Sequence, residues 1–149
     1  MTLIRDLCEP DCETIHAIHT RCLTFTLASR YTAAQLHAWM LGRTASGYWN
    51  AARSGEGFLV AEVAGQVVGY ASWSDDELLS LFIDPDHQKQ GLGSSLLNGC
   101  LARAPNLMVV KAALGAESFY ERHRFVQIGP GATIKHDVEI PDTRMRRSR

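Results

Sequence analysis

The sequence predicts an α/β fold: a central mixed, mostly antiparallel sheet with helices on both faces. Two observations carry most of that expectation. Strand-like runs at 57–63 and 66–73 are separated by Ala64-Gly65 alone, close enough for an antiparallel hairpin. A further apolar run, 78–83, leads through Asp84-Pro85 and a glycine turn into a helix with apolar residues at Leu92, Leu96, Leu97, Cys100 and Leu101. A helix between two strands of one sheet is a crossover, so the strands on either side of it run parallel.

The other elements follow in order. Residues 2–7 alternate weakly and read as a first strand. Glu9-Pro10-Asp11 opens a helix, with Asp11 as cap or first-turn acid and Ile15, Ile18 and Cys22 on its buried face. A second helix covers 32–41, capped by Thr32 with Gln35 three residues on. Residues 42–57 are turn-rich, with Tyr48 and Trp49 as anchors. Pro105 ends the crossover helix, and 107–112 is the fifth strand. Residues 117–123 form a short helix. The last strands are 125–128 and 134–146, joined by a flexible Gly129-Pro130-Gly131 segment.

A chain of 149 residues forms one domain, 1–149, with one core. Its 15 basic and 16 acidic residues leave a formal charge of −1, so no global field recruits nucleic acid. The arginines at 144, 146, 147 and 149 read as the solvated end of a strand rather than an RNA-binding stripe. No apolar run approaches the roughly 20 residues of a membrane helix, and Met1 to Asp6 lacks a signal peptide's layout. The expected location is the cytoplasm, with no membrane partner. Cys8, Cys12, Cys22 and Cys100 form no C-x-x-C pair and read as small apolar residues in a reducing compartment. Cys8, Cys12, His16 and His19 recur near helical spacing. Pro10 separates Cys8 from the helix, however, and closed zinc sites draw on separate elements, so no metal is expected.

The glycine turn carries the chemistry. Strand, glycines and helix in that order aim unpaired backbone N–H groups, with the positive end of the helix dipole, at one point that attracts phosphate. A side chain at Gly91 or Gly93 would hold a bulky anion away from that backbone. No Gly-Lys-Ser/Thr ending makes this a Walker loop. Leu96 stands where a dinucleotide fingerprint has its third glycine.

What remains, Q-x-x-G-x-G from Gln88 to Gly93, resembles the pyrophosphate loop of the GNAT superfamily of N-acetyltransferases. Ala116-Glu117-Ser118-Phe119-Tyr120-Glu121-Arg122-His123-Arg124-Phe125 is similar to that family's A-x-x-F-Y-E-x-x-G-F signature. Ile4-Arg5, Val67-Val68-Gly69-Tyr70, the Tyr31 to Trp39 stretch and Arg144-Met145 extend the resemblance over almost the whole chain. It implies that the fourth and fifth strands splay apart to leave a slot for acetyl-CoA, with no metal. Leu81, Phe82 and Ile83 would offer backbone groups to the pantetheine arm. Gln88 belongs to the loop motif, and Lys89, Gln90, Gly91, Leu92, Gly93 and Ser94 would donate N–H groups to the pyrophosphate. A strand-four N–H would hold the oxyanion, and Tyr120 would protonate the departing thiolate.

Two positions depart from the pattern: Arg124 stands for the usual Gly, and Ala113 for an Asn that helps to hold the cofactor. The acceptor that the resemblance implies is a small-molecule or peptide amine. It needs a base, for which Glu77 of Asp75-Asp76-Glu77 is the candidate and His16, His19 and His37 are alternatives. By resemblance, acceptor specificity lies in 24–31 and 129–136. Phe25, Tyr31 and Trp39 are candidate aromatic lining, and the acidic cluster suits a cationic amine. The resemblance also leaves room for a homodimer, and for a non-catalytic acyl-CoA-binding module that keeps the loop but needs neither Tyr120 nor a base.

Overall fold

The computed structural model describes residues 1–148. Four strands come first in the sheet: β1 (Thr2–Asp6), β2 (Gly57–Val63), β3 (Gln66–Ser74) and β4 (Glu77–Ile83), each antiparallel to its neighbour. Helix α4 (Leu92–Arg103) crosses over to β5 (Val109–Ala112), which runs parallel to β4. The short α5 (Glu117–Glu121) leads into β6 (Phe125–Lys135) and β7 (Val138–Arg147), and β7 inserts between β5 and β6. The sheet order is β1-β2-β3-β4-β5-β7-β6, mixed and mostly antiparallel as the sequence predicts.

Side-chain alternation assigns the two faces. Leu59 and Ala61 of β2 and Ala71 of β3 pack with Leu96, Leu97 and Cys100 of α4. Phe58 and Val60 of β2 and Tyr70 of β3 face the other way. They meet Ile15 and Ile18 of α1 (Cys12–Arg21) and Tyr48 of α3 (Ala45–Arg53). Helix α2 (Ala33–Met40) starts on the expected capping box: Thr32 Oγ1 accepts from the Gln35 N–H at 3.1 Å, and Gln35 Oε1 accepts from the Thr32 N–H at 2.9 Å. A third apolar group, with Leu23, Leu27, Tyr31, Ala38 and Ile140, ties this region to β7.

Two expectations are corrected. The turn-rich reading of 42–57 hides α3, whose Ala45, Tyr48, Ala51 and Ala52 supply a helical stripe and whose N-cap is Thr44, accepting from the Gly47 N–H at 3.1 Å. The flexible connection at 129–131 is continuous strand: β6 runs straight through Gly129-Pro130-Gly131, and the hairpin turns instead at His136-Asp137, both with positive φ (51° and 64°). Gly131 is small because Arg144 of β7 lies over it; a Cβ there would sit 2.2 Å from Arg144 Nε. The glycine makes room for a side chain.

One irregularity shapes everything that follows. Ser72 pairs with Ser80 and Trp73 with Leu78, so Leu79 is an extra residue that bulges β4 and bends it. β4 and β5 then pair at only two positions, Glu77 with Val109 and Leu78 with Val110. Beyond them the strands part.

Candidate active site

The splay leaves a cavity of about 340 Å³. Its walls are Glu77 to Phe82 of β4, Val110 and Lys111 of β5, Ala113 and Ala116 after it, Tyr120 of α5, and the β6–β7 hairpin through Thr133, Lys135, Ile140, Pro141 and Asp142. His19 of α1, Tyr31, Trp39 of α2, Arg43 and Glu56 complete it.

Leu81, Phe82 and Ile83 pair with β3 through Ala71, Tyr70 and Gly69, while their β5-facing edge has no strand partner. All three are half-buried, unlike a strand enclosed on both sides. The Ile83 carbonyl is already engaged, accepting from Cys22 Sγ at 3.1 Å and Gln88 Nε2 at 3.2 Å. Gln88 also donates to Thr26 Oγ1 at 3.0 Å, so its side chain ties the loop to the strand and to the end of the π-helical turn, Cys22–Thr26, that follows α1.

Just beyond, the Asp-Pro turn is braced by Asp84. Its carboxylate accepts from the Asp86 N–H at 2.9 Å and from Arg21 at 3.1 Å. The backbone N–H groups of Lys89, Gln90, Gly91, Leu92, Gly93 and Ser94 find no backbone acceptor among the described residues. Gly91 is the cap of α4 with φ 79°, the left-handed region open to glycine, and Lys89 sits at φ 63°. Open space surrounds the Cβ position of Gly91, whereas a Cβ on Gly93 would lie 3.1 Å from the Phe119 ring. The two glycines therefore differ: the first permits a backbone angle and the second admits Phe119 beside the helix start. Ser94 Oγ is held by His123 Nε2 at 2.9 Å.

Phe119 is half-buried over this loop, while Tyr120 is 6% exposed and reaches the cavity from inside the core, edge-on to Phe125 at 5.6 Å. Burial, with Cys100 nearby, pushes the Tyr120 phenol well above the usual tyrosine value. Its hydroxyl makes no hydrogen bond among the described residues, so it keeps its proton with a donor to spare.

Of the acidic cluster, Glu77 lines the cavity and Asp75 and Asp76 form the hairpin turn before it. Glu77 Oε2 lies 3.8 Å from Lys111 Nζ. The structure adds Glu56, a second carboxyl on the wall, whose proton affinity burial raises from its ordinary value. The sequence offered no signal for it, since Glu56 stands alone between two glycines. Arg43 was likewise missed, and Lys135 was covered only as part of the 129–136 segment.

Among the histidines only His19 lines the cavity; His16 Nε2 bonds the Arg43 carbonyl at 3.2 Å, and His37 is exposed. His19 is fully buried, stacked on Phe82 at 4.5 Å, with Nδ1 3.0 Å from the Tyr48 hydroxyl. Of the three candidate aromatics, Tyr31 and Trp39 are in the wall and Phe25 is 69% exposed on the surface. Ala113 presents only a methyl group where the resemblance expects an amide side chain. Cys8, Cys12, Cys22 and Cys100 are free thiols. Among the described residues, no group of three or more ligating side chains could hold a metal, and no helix is long and apolar enough to cross a membrane. Arg144 is bonded to Asp142 at 2.7 Å; Arg149 of the basic tail lies outside the described residues.

A bulged strand splayed from its parallel neighbour, beside a glycine-led helix start and an unpartnered phenol, defines an acyl-transferring class of enzyme. The chain belongs to the GNAT acetyltransferase family, whose acetyltransferase (GNAT) domain model matches residues 27–148. It is 29% identical over 82% of its length to an uncharacterized Escherichia coli N-acetyltransferase, YafP, covering 79% of that protein. Its fold matches a GCN5-related N-acetyltransferase from Rhodopseudomonas palustris with TM-score 0.89 at 23% identity, over 100% of this chain and 96% of that one. It also matches YncA, a putative acetyltransferase from Salmonella typhimurium solved with its cofactor acetyl-CoA, with TM-score 0.71 at 24% identity, over 98% and 92% of the two chains.

Proposed function

We propose that the chain moves an acetyl group from acetyl-CoA to a primary amine by direct attack within a ternary complex. The observation that carries this reading is the open β4 edge, which ends at the unpaired N–H groups of 89–94 and shares its cavity with the Tyr120 hydroxyl. The pantetheine arm has amides and adds to Leu81, Phe82 and Ile83 as a strand would. The pyrophosphate takes the backbone from Lys89 to Ser94. Beyond the Leu79 bulge, a free N–H of β4 polarises the thioester carbonyl and holds the oxyanion.

Attack requires the neutral amine, so a carboxylate must take the ammonium proton. Glu77 and Glu56 both face the cavity. Glu77 is bridged to Lys111, whereas Glu56 has its basicity raised by burial; we assign the proton to Glu56 and the orientation of Lys111 to Glu77. Attack forms the C–N bond of a tetrahedral intermediate, which collapses to the amide by breaking the C–S bond and expelling CoA thiolate; the second proton of the nitrogen ends on the thiol. Because burial keeps the Tyr120 phenol a firm proton holder, it serves the thiolate first as a hydrogen-bond donor. Four free thiols suit a reducing cytoplasm, where we place the reaction.

Tyr120→Phe tests the assignment. Turnover falls roughly a hundredfold or more, while thermal stabilisation by acetyl-CoA, about 2.7 kcal/mol at a hundredfold excess over Kd, is unchanged. Unchanged turnover would remove Tyr120 from the chemistry. Stabilisation by ATP or NADH, and none by acetyl-CoA, would sink the whole reading.

A further inference from the structure

We infer that the acceptor amine also carries an anionic group, a carboxylate in the simplest case, which Arg43 and Lys135 hold at the cavity wall. The inference rests on the acetyl-transfer reading and specifies its substrate class.

The charges lining the cavity sort themselves. Lys111 is opposed by Glu77 at 3.8 Å, and Asp142 by Arg144 at 2.7 Å. Arg43, Lys135 and Glu56 also line the wall, and among the described residues none of the three makes an ion pair. The unpaired set is thus two cations and one carboxylate. A simple alkylammonium would meet net repulsion from that set. A molecule with an ammonium and a carboxylate satisfies it, placing its amine toward Glu56 and its anion toward the two cations.

Both cations sit on segments that hydrogen bonds fix to the cavity wall. Arg43 follows α2, and its Nε donates to the Trp39 carbonyl at 3.0 Å, which holds the guanidinium on the wall beside the Tyr48 hydroxyl and within the field of Glu56. Lys135 is the last residue of β6, and the next residue, His136, is bonded through Nε2 to the Leu41 carbonyl at 3.1 Å. That bond joins the hairpin tip to the end of α2. Gln35 Nε2 to the Glu139 carbonyl at 3.0 Å and Tyr31 Oη to the Pro141 carbonyl at 2.8 Å join them again. Burial, Arg43 and Lys111 together hold the Lys135 ammonium below its ordinary value, so like charges are crowded there until an anion relieves them. A fork-shaped guanidinium beside an ammonium is a ready receptor for a carboxylate.

The test compares each of the common α-amino acids with its own α-amide, following CoA release with acetyl-CoA in excess. The amine is the same, and the anion is gone. The acids are expected to exceed their amides in kcat/KM by roughly tenfold or more, about 1.4 kcal/mol. Lys135→Met should remove that preference by raising KM for the acids alone, and Lys135→Arg should restore it. Lys135 ends an exposed hairpin, so the variant's fold is checked by its melting temperature. Amides used as well as acids, simple alkylamines preferred to both, or a Lys135→Met protein that loses acids and amides equally would each overturn the inference with acetyl transfer intact. Absence of acetyl-CoA stabilisation would instead bring down the reading beneath it.

Discussion

Arg124 shows what a residue can cost in the wrong conformation. It occupies the family's glycine position and does adopt the left-handed region, at φ 72°. Its carbonyl accepts from the Ser148 N–H at 2.8 Å and the Ser148 hydroxyl at 3.1 Å, so the conformation is held by the returning end of the chain. A non-glycine residue there costs about 1–2 kcal/mol, partly offset because glycine adds about 0.5–1 kcal/mol of unfolded-state freedom. Arg124→Gly should therefore stabilise the protein by about 0.5–1 kcal/mol, seen as a higher urea midpoint at unchanged slope. A lower midpoint would mean that the arginine side chain contributes more than its backbone costs. Residue roles were legible where local geometry sets them: Thr32 with Gln35, Asp84 before Pro85, Gly91 at the helix start. They were not legible where tertiary neighbours do, as with Gly93, where a Cβ would also crowd the Phe119 ring at 3.1 Å.

At the scale of elements, β6 is the instructive case. Gly-Pro-Gly is a loop signal by local chemistry, yet the segment is an edge strand whose proline needs no ladder donor and whose Gly131 is roofed by Arg144. The Arg144 guanidinium cannot step aside freely: it donates to Asp142 at 2.7 Å and to the Ala132 carbonyl at 2.8 Å, and Asp142 is buried. Gly131→Ala is expected to cost about 1–3 kcal/mol by overpacking, read as a drop in melting temperature. An unchanged melting temperature would show that the guanidinium relocates without loss. Helix α3 was missed for a related reason: its stripe is built from Ala and Tyr in a segment bracketed by Gly42 and Gly57. The hairpin β2–β3 and the β4–α4–β5 unit were legible because turn length and period alone specify them. Glu56, Arg43 and Lys135 come together through that missed helix and that misread strand, which is why these three charges of the cavity wall were not singled out from the chain.

At the scale of the molecule, the helical layer is fastened to the sheet by a histidine. His19 has 1% exposure, touches Tyr48, Tyr70, Phe82 and Trp39, and is pushed down to about 3, first by burial and then by Arg43, His16 and Lys135. The unfolded chain takes up a proton here near 6.5, which the folded chain refuses until about 3. Folding stability from this group is therefore complete above pH 6.5 and is lost as pH falls from there toward about 3. Melting temperatures followed over that interval should decline, and His19→Gln should flatten the decline even though it lowers stability at neutral pH. Equal slopes in both proteins would assign the acid sensitivity to the carboxylates instead.

The two-rung seam between β4 and β5 also bears on solubility. Every open sheet has two outer edges; this one has a second pair inside, where β4 past Leu78 and β5 past Val110 no longer pair with each other. Such edges invite strands from other molecules. Here they face one another across a wedge walled by Tyr120, Trp39 and the β6–β7 hairpin. A strand from another sheet would have to displace those side chains before it could pair there.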